Sequence, residues 1–313
     1  MNNIKYIFYG TGPLAEAALY SLYHAGLIPI AIITKPDSLI GRHQVLTEPM
    51  IKTWAKSKNI KVYQPTTLSH VQDLENDLNK KENTRFQNFL QENKIDIAIV
   101  ASYGKIIPEY LLHIPTHGTL NIHPSMLPLY RGPSPIESQI LDDASSIGLS
   151  IMQLDAGMDS GPVYIQTEIP ILGGAGEDWD TETIERICGR AGADLISQIL
   201  TFIIEGTLQP IAQDNNKATF CKFIKKEIGE IKSLTEYLTK NKNIDSVFDK
   251  EELKRKWHAL RPWPGIFFFI KHKDKNIRIK INKIDLINVD ILSVTPEGKN
   301  EMDWESFRRG YLN

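Results

Sequence analysis

Gly118-Thr119-Leu120-Asn121-Ile122-His123-Pro124 alternates apolar and polar side chains and then stops at a proline. As a strand it puts Asn121 and His123 on one face and Ile122 on the other. Pro124 and Pro128 stiffen the loop that follows, so the two polar side chains sit on a rigid mount.

Outward from this stretch, short apolar β-branched runs recur near 4–9, 28–34, 95–101, 148–154 and 162–169. Segments with helical spacing, Leu14 to Tyr23 and Ile51 to Lys58, lie between the early ones. This alternation predicts an α/β fold with a Rossmann-like, doubly wound, mostly parallel sheet covered by helices on both faces. Open sheets of that kind bind ligands beyond the carboxyl ends of their strands, which is where Asn121 and His123 fall. The Glu-, Lys- and Asn-rich stretch from Ser69 to Asn93 is expected to be a solvated helix pair with a loop. Thr181 to Glu205 has the period of a long amphipathic helix, with Gly206 placed to end it.

At 313 residues the chain exceeds what one hydrophobic core organises, so two domains are expected. A polar run with Pro210 and Gln213-Asp214-Asn215-Asn216-Lys217 marks 208–218 as a linker between a first domain over 1–207 and a second over 219–313. In the second, Gly265 to Ile270, Ile277 to Ile284 and Val289 to Val294 read as strands of a smaller antiparallel, OB-like β-barrel.

With 42% hydrophobic and 24% charged residues the composition is that of a soluble globular protein. A formal charge of −2 offers no broad basic field, so any nucleic-acid contact must be a local patch. The two cysteines, Cys188 and Cys221, build no disulfide framework and complete no zinc spacing. No metal is expected, and a reducing cytoplasm is the expected location. The apolar run at the N-terminus breaks at Gly10, short of a signal peptide or a span, and no later run is expected to reach membrane length, so no membrane partner is expected.

Gly10-Thr11-Gly12-Pro13-Leu14-Ala15 follows a strand and opens a helix, with Asp37 near the end of the second strand. That loosely matches a dinucleotide fingerprint, so a nicotinamide dehydrogenase enters consideration; a tight strand-to-helix turn is the plainer reading. Leu154 to Val163 is a glycine-rich loop carrying Asp155 and Asp159, whose simplest reading is a hairpin turn with aspartates bonded to their own backbone.

Taken together, Ile7 to Thr11, Thr34-Lys35-Pro36-Asp37 with Gly41-Arg42, Gln64-Pro65, Ala101-Ser102-Tyr103-Gly104, Asn121 to Gly132, Asp155 to Pro162 and Arg261-Pro262-Trp263-Pro264-Gly265 resemble the methionyl-tRNA formyltransferase family, within the folate-dependent formyltransferase superfamily. The resemblance runs nearly end to end. It implies that 1–207 is a formyltransferase catalytic domain, that 10-formyltetrahydrofolate is the formyl donor, and that initiator methionyl-tRNA is the partner, formylated on the α-amine of its methionine for translation initiation. The superfamily's Asn-His-Asp constellation carries over onto Asn121, His123 and Asp159 as catalytic residues. The pterin pocket carries over onto Ser102, Tyr103, Gly104, Ile106, Ile107, Ser125, Leu127, Pro128 and Asp155, and the tRNA-contacting loop onto Arg42. The chain is expected to act as a monomer.

These residue types suit that chemistry. When an amine attacks a formyl carbon an oxyanion develops, and donors such as the Asn121 amide and His123 would stabilise it. Asp159 would orient His123 and take the amine proton through a water. A covalent formyl-enzyme is not expected, because Ser125 has no assigned base and both cysteines lie outside the signature. Lys222, Lys225, Lys226, Lys254, Arg255, Lys256 and Arg261 either follow RNA phosphates or are solvated helix residues. Trp263, between two prolines, is expected to anchor a core. The alternatives are a formyltransferase acting on a nucleotide-linked amino sugar, the dehydrogenase, and a non-catalytic RNA-binding protein.

Overall fold

A computed structural model of the chain describes residues 4–40, 44–68, 77–171, 177–240, 249–273 and 275–312. It opens with β1 (Tyr6–Gly10), α1 (Pro13–His24), β2 (Ala31–Ile33), β3 (Ser38–Ile40), β4 (Val45–Thr47), α2 (Met50–Ser57), β5 (Lys61–Tyr63) and α3 (Asp77–Glu92). There follow β6 (Ile97–Ala101), α4 (Glu109–Leu112), β7 (Thr119–His123), α5 (Pro135–Leu141), β8 (Ser146–Gln153), β9 (Val163–Pro170) and α6 (Thr181–Ile204). Contacts divide the chain into one unit of Met1–Pro133, Ile147–Ile169 and Glu185–Cys221 and another of Ser134–Ser146, Pro170–Ile184 and Lys222–Asn313.

In the first unit seven strands lie in the order β5-β2-β1-β6-β7-β8-β9. The pairs β5–β2, β2–β1, β1–β6 and β6–β7 are parallel, and β7–β8 is antiparallel. β1, β2 and β6 are buried along their whole length, as strands covered on both faces must be, which is why they read as near-continuous apolar runs, whereas β7 is equally buried but alternates polar and apolar side chains. The chain runs from β1 outward to β2 and β5 and then returns to β6 on the other side of β1, so the carboxyl ends of β1 and β6 part at a topological switch point. The mostly parallel Rossmann-like sheet is as expected.

Two glycines bring α6 close. A Cβ on Gly189 would stand 2.3 Å from the Leu14 carbonyl oxygen of α1, and one on Gly192 2.4 Å from Cγ2 of Ile122, the residue between Asn121 and His123. The apolar face of β7 is thus backed directly by a helix, leaving its polar face for the site. Gly206 (φ 71°) closes α6, donating its amide to the Ile203 carbonyl. By length and apolarity α6 is the one described helix that could cross a membrane, a possibility the sequence reading missed; Cys188, Ala193, Ile196 and Leu200 are instead buried within the protein.

Two expectations need correction. Residues 69–76 lie outside the described residues, but α3 is no solvated helix: Phe86, Phe89 and Leu90 are buried with Tyr9, Tyr63 and Tyr103 in one hydrophobic core cluster. Its apolar residues are few and grouped on one face, so polar composition concealed a packing helix. The run 208–218 groups with the first unit, where Ile211 bridges to Val163 and, just past the run, Phe220 to Arg131. Trp263 is no core anchor either, being 57% exposed.

The second unit contains α5, α7 (Lys232–Lys240), α8 (Lys250–Ala259), β10 (Ile266–His272), β11 (Lys275–Asp285), β12 (Asp290–Pro296), β13 (Met302–Asp303) and α9 (Trp304–Phe307). Its strands form an antiparallel sheet in the order β10-β11-β12-β13, burying Phe268, Ile279, Ile281 and Val294 with Phe307. Arg261 leaves little charge for an outside partner: it donates to the Trp179 carbonyl and pairs with Asp178, whose carboxylate burial raises but Trp257 and Arg261 pull below its usual range. Lys256 is likewise taken up by Glu252 and the Glu230 carbonyl.

Candidate active site

β7 presents Asn121 and His123 as its alternation dictates, 9% and 4% exposed. Among the described residues the Asn121 side-chain amide has no hydrogen-bond partner, so its donors and acceptor are available to a ligand. The imidazole of His123 is held from two sides. Nε2 lies 3.1 Å from the Tyr130 carbonyl oxygen, which can only accept, so this nitrogen carries a proton. Nδ1 lies 3.7 Å from Oδ1 of Asp159.

Asp159 comes from the loop between β8 and β9 and takes a left-handed backbone (φ 48°), which aspartate tolerates better than most residues. Its Oδ2 accepts the Gly132 amide at 2.8 Å. The loop closes tightly: Gln153 donates its amide to the Pro162 carbonyl, and a Cβ on Gly161 would stand 1.9 Å from the Gln153 carbonyl oxygen. Three residues separated in sequence therefore converge on the carboxyl end of β7.

Asp37 is committed elsewhere. It accepts Lys52 at 2.7 and 2.8 Å and Gln64 at 2.8 Å, and the Lys52 hydrogen bond, ahead of Gln64, holds its carboxyl below the usual range. Thr11 bonds Thr34 and the Lys35 amide. The acid that a dinucleotide ribose would need is thus tied to a lysine, and the dehydrogenase reading loses its support. Among the described residues no group of three His, Cys, Asp or Glu side chains could hold a metal ion.

A family model described as Formyl transferase matches residues 3–196. The methionyl-tRNA formyltransferase of Dictyoglomus thermophilum is 34% identical over 98% of this chain and 97% of that protein. The chain belongs to the methionyl-tRNA formyltransferase family. Two solved structures share the fold. A methionyl-tRNA formyltransferase from Clostridium thermocellum has a TM-score of 0.54 at 15% identity, over 96% of this chain and 100% of that one. A 4-N formyltransferase from Francisella tularensis has a TM-score of 0.56 at 15% identity, over 90% and 99%.

Within this formyltransferase fold, the remaining residues expected at the site fall into two groups. Ser102 (φ 46°) and Gly104 (φ 67°) form an exposed turn after β6, one strand from Asn121, and Ile106 is 91% exposed. Tyr103 is instead buried in the same core cluster as Tyr9 and Phe86, with Ile107 packed against it, and burial raises the Tyr103 phenol well above its usual range. Ser125 is fully buried, its hydroxyl donating to the Leu129 carbonyl at 2.6 Å, and among the described residues no basic side chain bonds to it. Leu127 packs on Met152 and Val163, ahead of a cis bond to Pro128. Asp155 accepts the Gly157 amide and the Ser160 hydroxyl, the self-bonded turn that its sequence suggests. Arg42 lies outside the described residues; Ile40 and Val45 pair in the hairpin on either side of it.

The sequence reading overlooked the backbone that holds the trio, namely the Tyr130 carbonyl and the Gly132 amide, and it overlooked Gln213. Tyr130 and Gly132 were visible as part of the signature, but main-chain partners leave no mark in residue type. Gln213 donates to the carbonyls of Asp159 at 2.9 Å and Gly161 at 2.6 Å from within a run whose polarity signalled only a connection.

Proposed function

We propose that the chain transfers the formyl group of 10-formyltetrahydrofolate to the α-amine of methionine on initiator tRNA, in the cytoplasm and as a monomer, with Asn121, His123 and Asp159 as its catalytic residues. One observation carries this reading: an unpartnered, nearly buried Asn121 amide stands two residues from a histidine that faces a carboxylate, at the crevice end of a parallel strand. In this reading 1–207 is the catalytic domain, 208–218 joins it to a smaller domain over 219–313, and Arg42 meets the tRNA.

The residues fit a folate donor. The exposed turn at Ser102 and Gly104 offers backbone groups to a pterin edge, and the Asn121 amide has no partner among the described residues. When bound, the folate supplies an activated formyl group. The Asn121 amide donates to the formyl oxygen as negative charge builds there, the preorganised-donor effect that is the largest single contribution in many enzymes. His123, anchored through Nε2, keeps Nδ1 between Asp159 and the reacting centre. Asp159 stabilises positive charge on the ring and accepts the proton of the attacking amine directly or through one water; when the bond between the formyl carbon and the folate nitrogen breaks, that proton would pass to the departing nitrogen, leaving tetrahydrofolate. The buried Ser125 hydroxyl, committed to a carbonyl, takes no part.

The test is to incubate the protein with formyl-folate and either charged initiator tRNA or an amino-sugar nucleotide. Formylation of the tRNA is expected, and formylation of the sugar alone overturns the reading.

A further inference from the structure

Arg131 is 4% exposed, yet among the described residues no carboxylate lies within ion-pair distance of it. Its charge is met by amides: Nε and Nη2 donate to Oε1 of Gln213 at 3.0 and 2.7 Å, and Nη2 also donates to Oδ1 of Asn215 at 2.8 Å. A buried cation held by neutral groups is costly unless those groups are fixed, so the arrangement needs a stiff support. The backbone provides it. Arg131 donates its amide to the Thr219 carbonyl, Cys221 donates its amide to the Arg131 carbonyl, and Tyr130 donates its amide to the Thr219 hydroxyl.

Gln213 uses its other end on the catalytic loop, Nε2 donating to the carbonyls of Asp159 and Gly161. A guanidinium at Oε1 polarises the amide and strengthens donation from Nε2. The two carbonyls flank the turn in which Asp159 adopts its left-handed backbone and gives Oδ2 to the Gly132 amide. Arg131, Gly132, Gln213 and Asp159 thus form one closed circuit.

We propose that Gln213 is a positioning residue: polarised by Arg131, it clamps the Asp159 turn so that the carboxylate faces Nδ1 of His123. The inference rests on the formyl-transfer role of Asp159. It assigns a role in the reaction to the polar run 208–218.

Gln213→Glu separates the two ends of the clamp. The new carboxylate pairs with Arg131 and keeps the fold, but it has no N–H for the carbonyls of Asp159 and Gly161. Gln213→Ala removes both ends. For full-length Gln213→Glu, where the ion pair gained with Arg131 offsets the two hydrogen bonds lost, the thermal midpoint is expected within about 5 °C of wild type, with kcat about 10- to 100-fold lower, the scale of a misplaced catalytic group, and KM for both substrates within about threefold. In an Asp159→Asn background the same substitution should cost less than about threefold, because the group it positions has already lost its charge. Wild-type kcat in both variants overturns the proposal, as do equal losses with and without Asp159→Asn, or losses that only track unfolded protein. A wild-type protein that formylates no acceptor overturns the functional reading itself, which keeps the two failures apart.

Discussion

The Asp159 carboxylate divides its work between two neighbours, standing 3.7 Å from Nδ1 of His123 with Oδ1 while Oδ2 accepts the Gly132 amide at 2.8 Å. One oxygen fixes the side chain and the other faces the imidazole. Asp159→Asn keeps an acceptor for Gly132 and suits the left-handed backbone at this position, so the fold should be retained. The charge is lost, and kcat should fall at least about 100-fold, near 2.7 kcal/mol of barrier. Steady-state rates with charged tRNA check this; turnover within about threefold of wild type refutes the role.

His123→Ala should lower kcat by a similar factor of about 100 or more. Asn121→Ala should show a sharper division between activity and stability. Because the amide makes no hydrogen bond among the described residues, its loss leaves no partner there unsatisfied, and the unfolding free energy should change by less than about 1 kcal/mol. Losing an oxyanion donor should still lower kcat by about 10²–10³. A urea melt beside a rate assay separates the two quantities, and a stability loss as large as the rate loss would mean that Asn121 is structural.

Gly189→Ala reverses an ordinary rule. In an exposed helix the change adds about 1 kcal/mol through helix propensity. Here the new Cβ would meet the Leu14 carbonyl oxygen, a backbone atom, at 2.3 Å. Overpacking of that kind costs about 1–3 kcal/mol, which outweighs the gain. Chemical unfolding should show net destabilisation, and a more stable variant would contradict the close α1–α6 approach.

His258 should make the second unit sensitive to mild acid. The ring is stacked on Trp179 with centroids 3.9 Å apart and has Nδ1 2.8 Å from the Trp179 carbonyl. Burial lowers its pKa most, with Arg261 and Lys254 adding to the effect, against the hydrogen bond to Trp179 and the charge of Asp178. A folded pKa below the unfolded value, about 6.5, gives stability that is complete above that pH and is lost as pH falls toward the folded value. Between pH 7.5 and 5.5 the unfolding midpoint should drop more in wild type than in His258→Gln. Parallel pH slopes would exclude His258 as the cause.

Much of the first unit was legible because its signals are local. Apolar β-branched runs separated by helical periods specify a parallel sheet wherever they occur, and alternation along 119–123 determined that Asn121 and His123 share a face before any partner was known. The edge strand β5 and the β3–β4 hairpin were too short to register as periods. α3 was misjudged because averaged polarity hides three buried apolar residues, and Trp263 because an aromatic between prolines carries no information about what covers it. Asp159 was located as a residue type in a turn, but its orientation depends on φ 48° and on an amide from residue 132. Gln213 meets Asp159 across 54 positions through main-chain carbonyls. Periodicity and side-chain chemistry are written in neighbouring residues and can be read one by one; hydrogen bonds to distant backbone exist only after the chain has closed on itself.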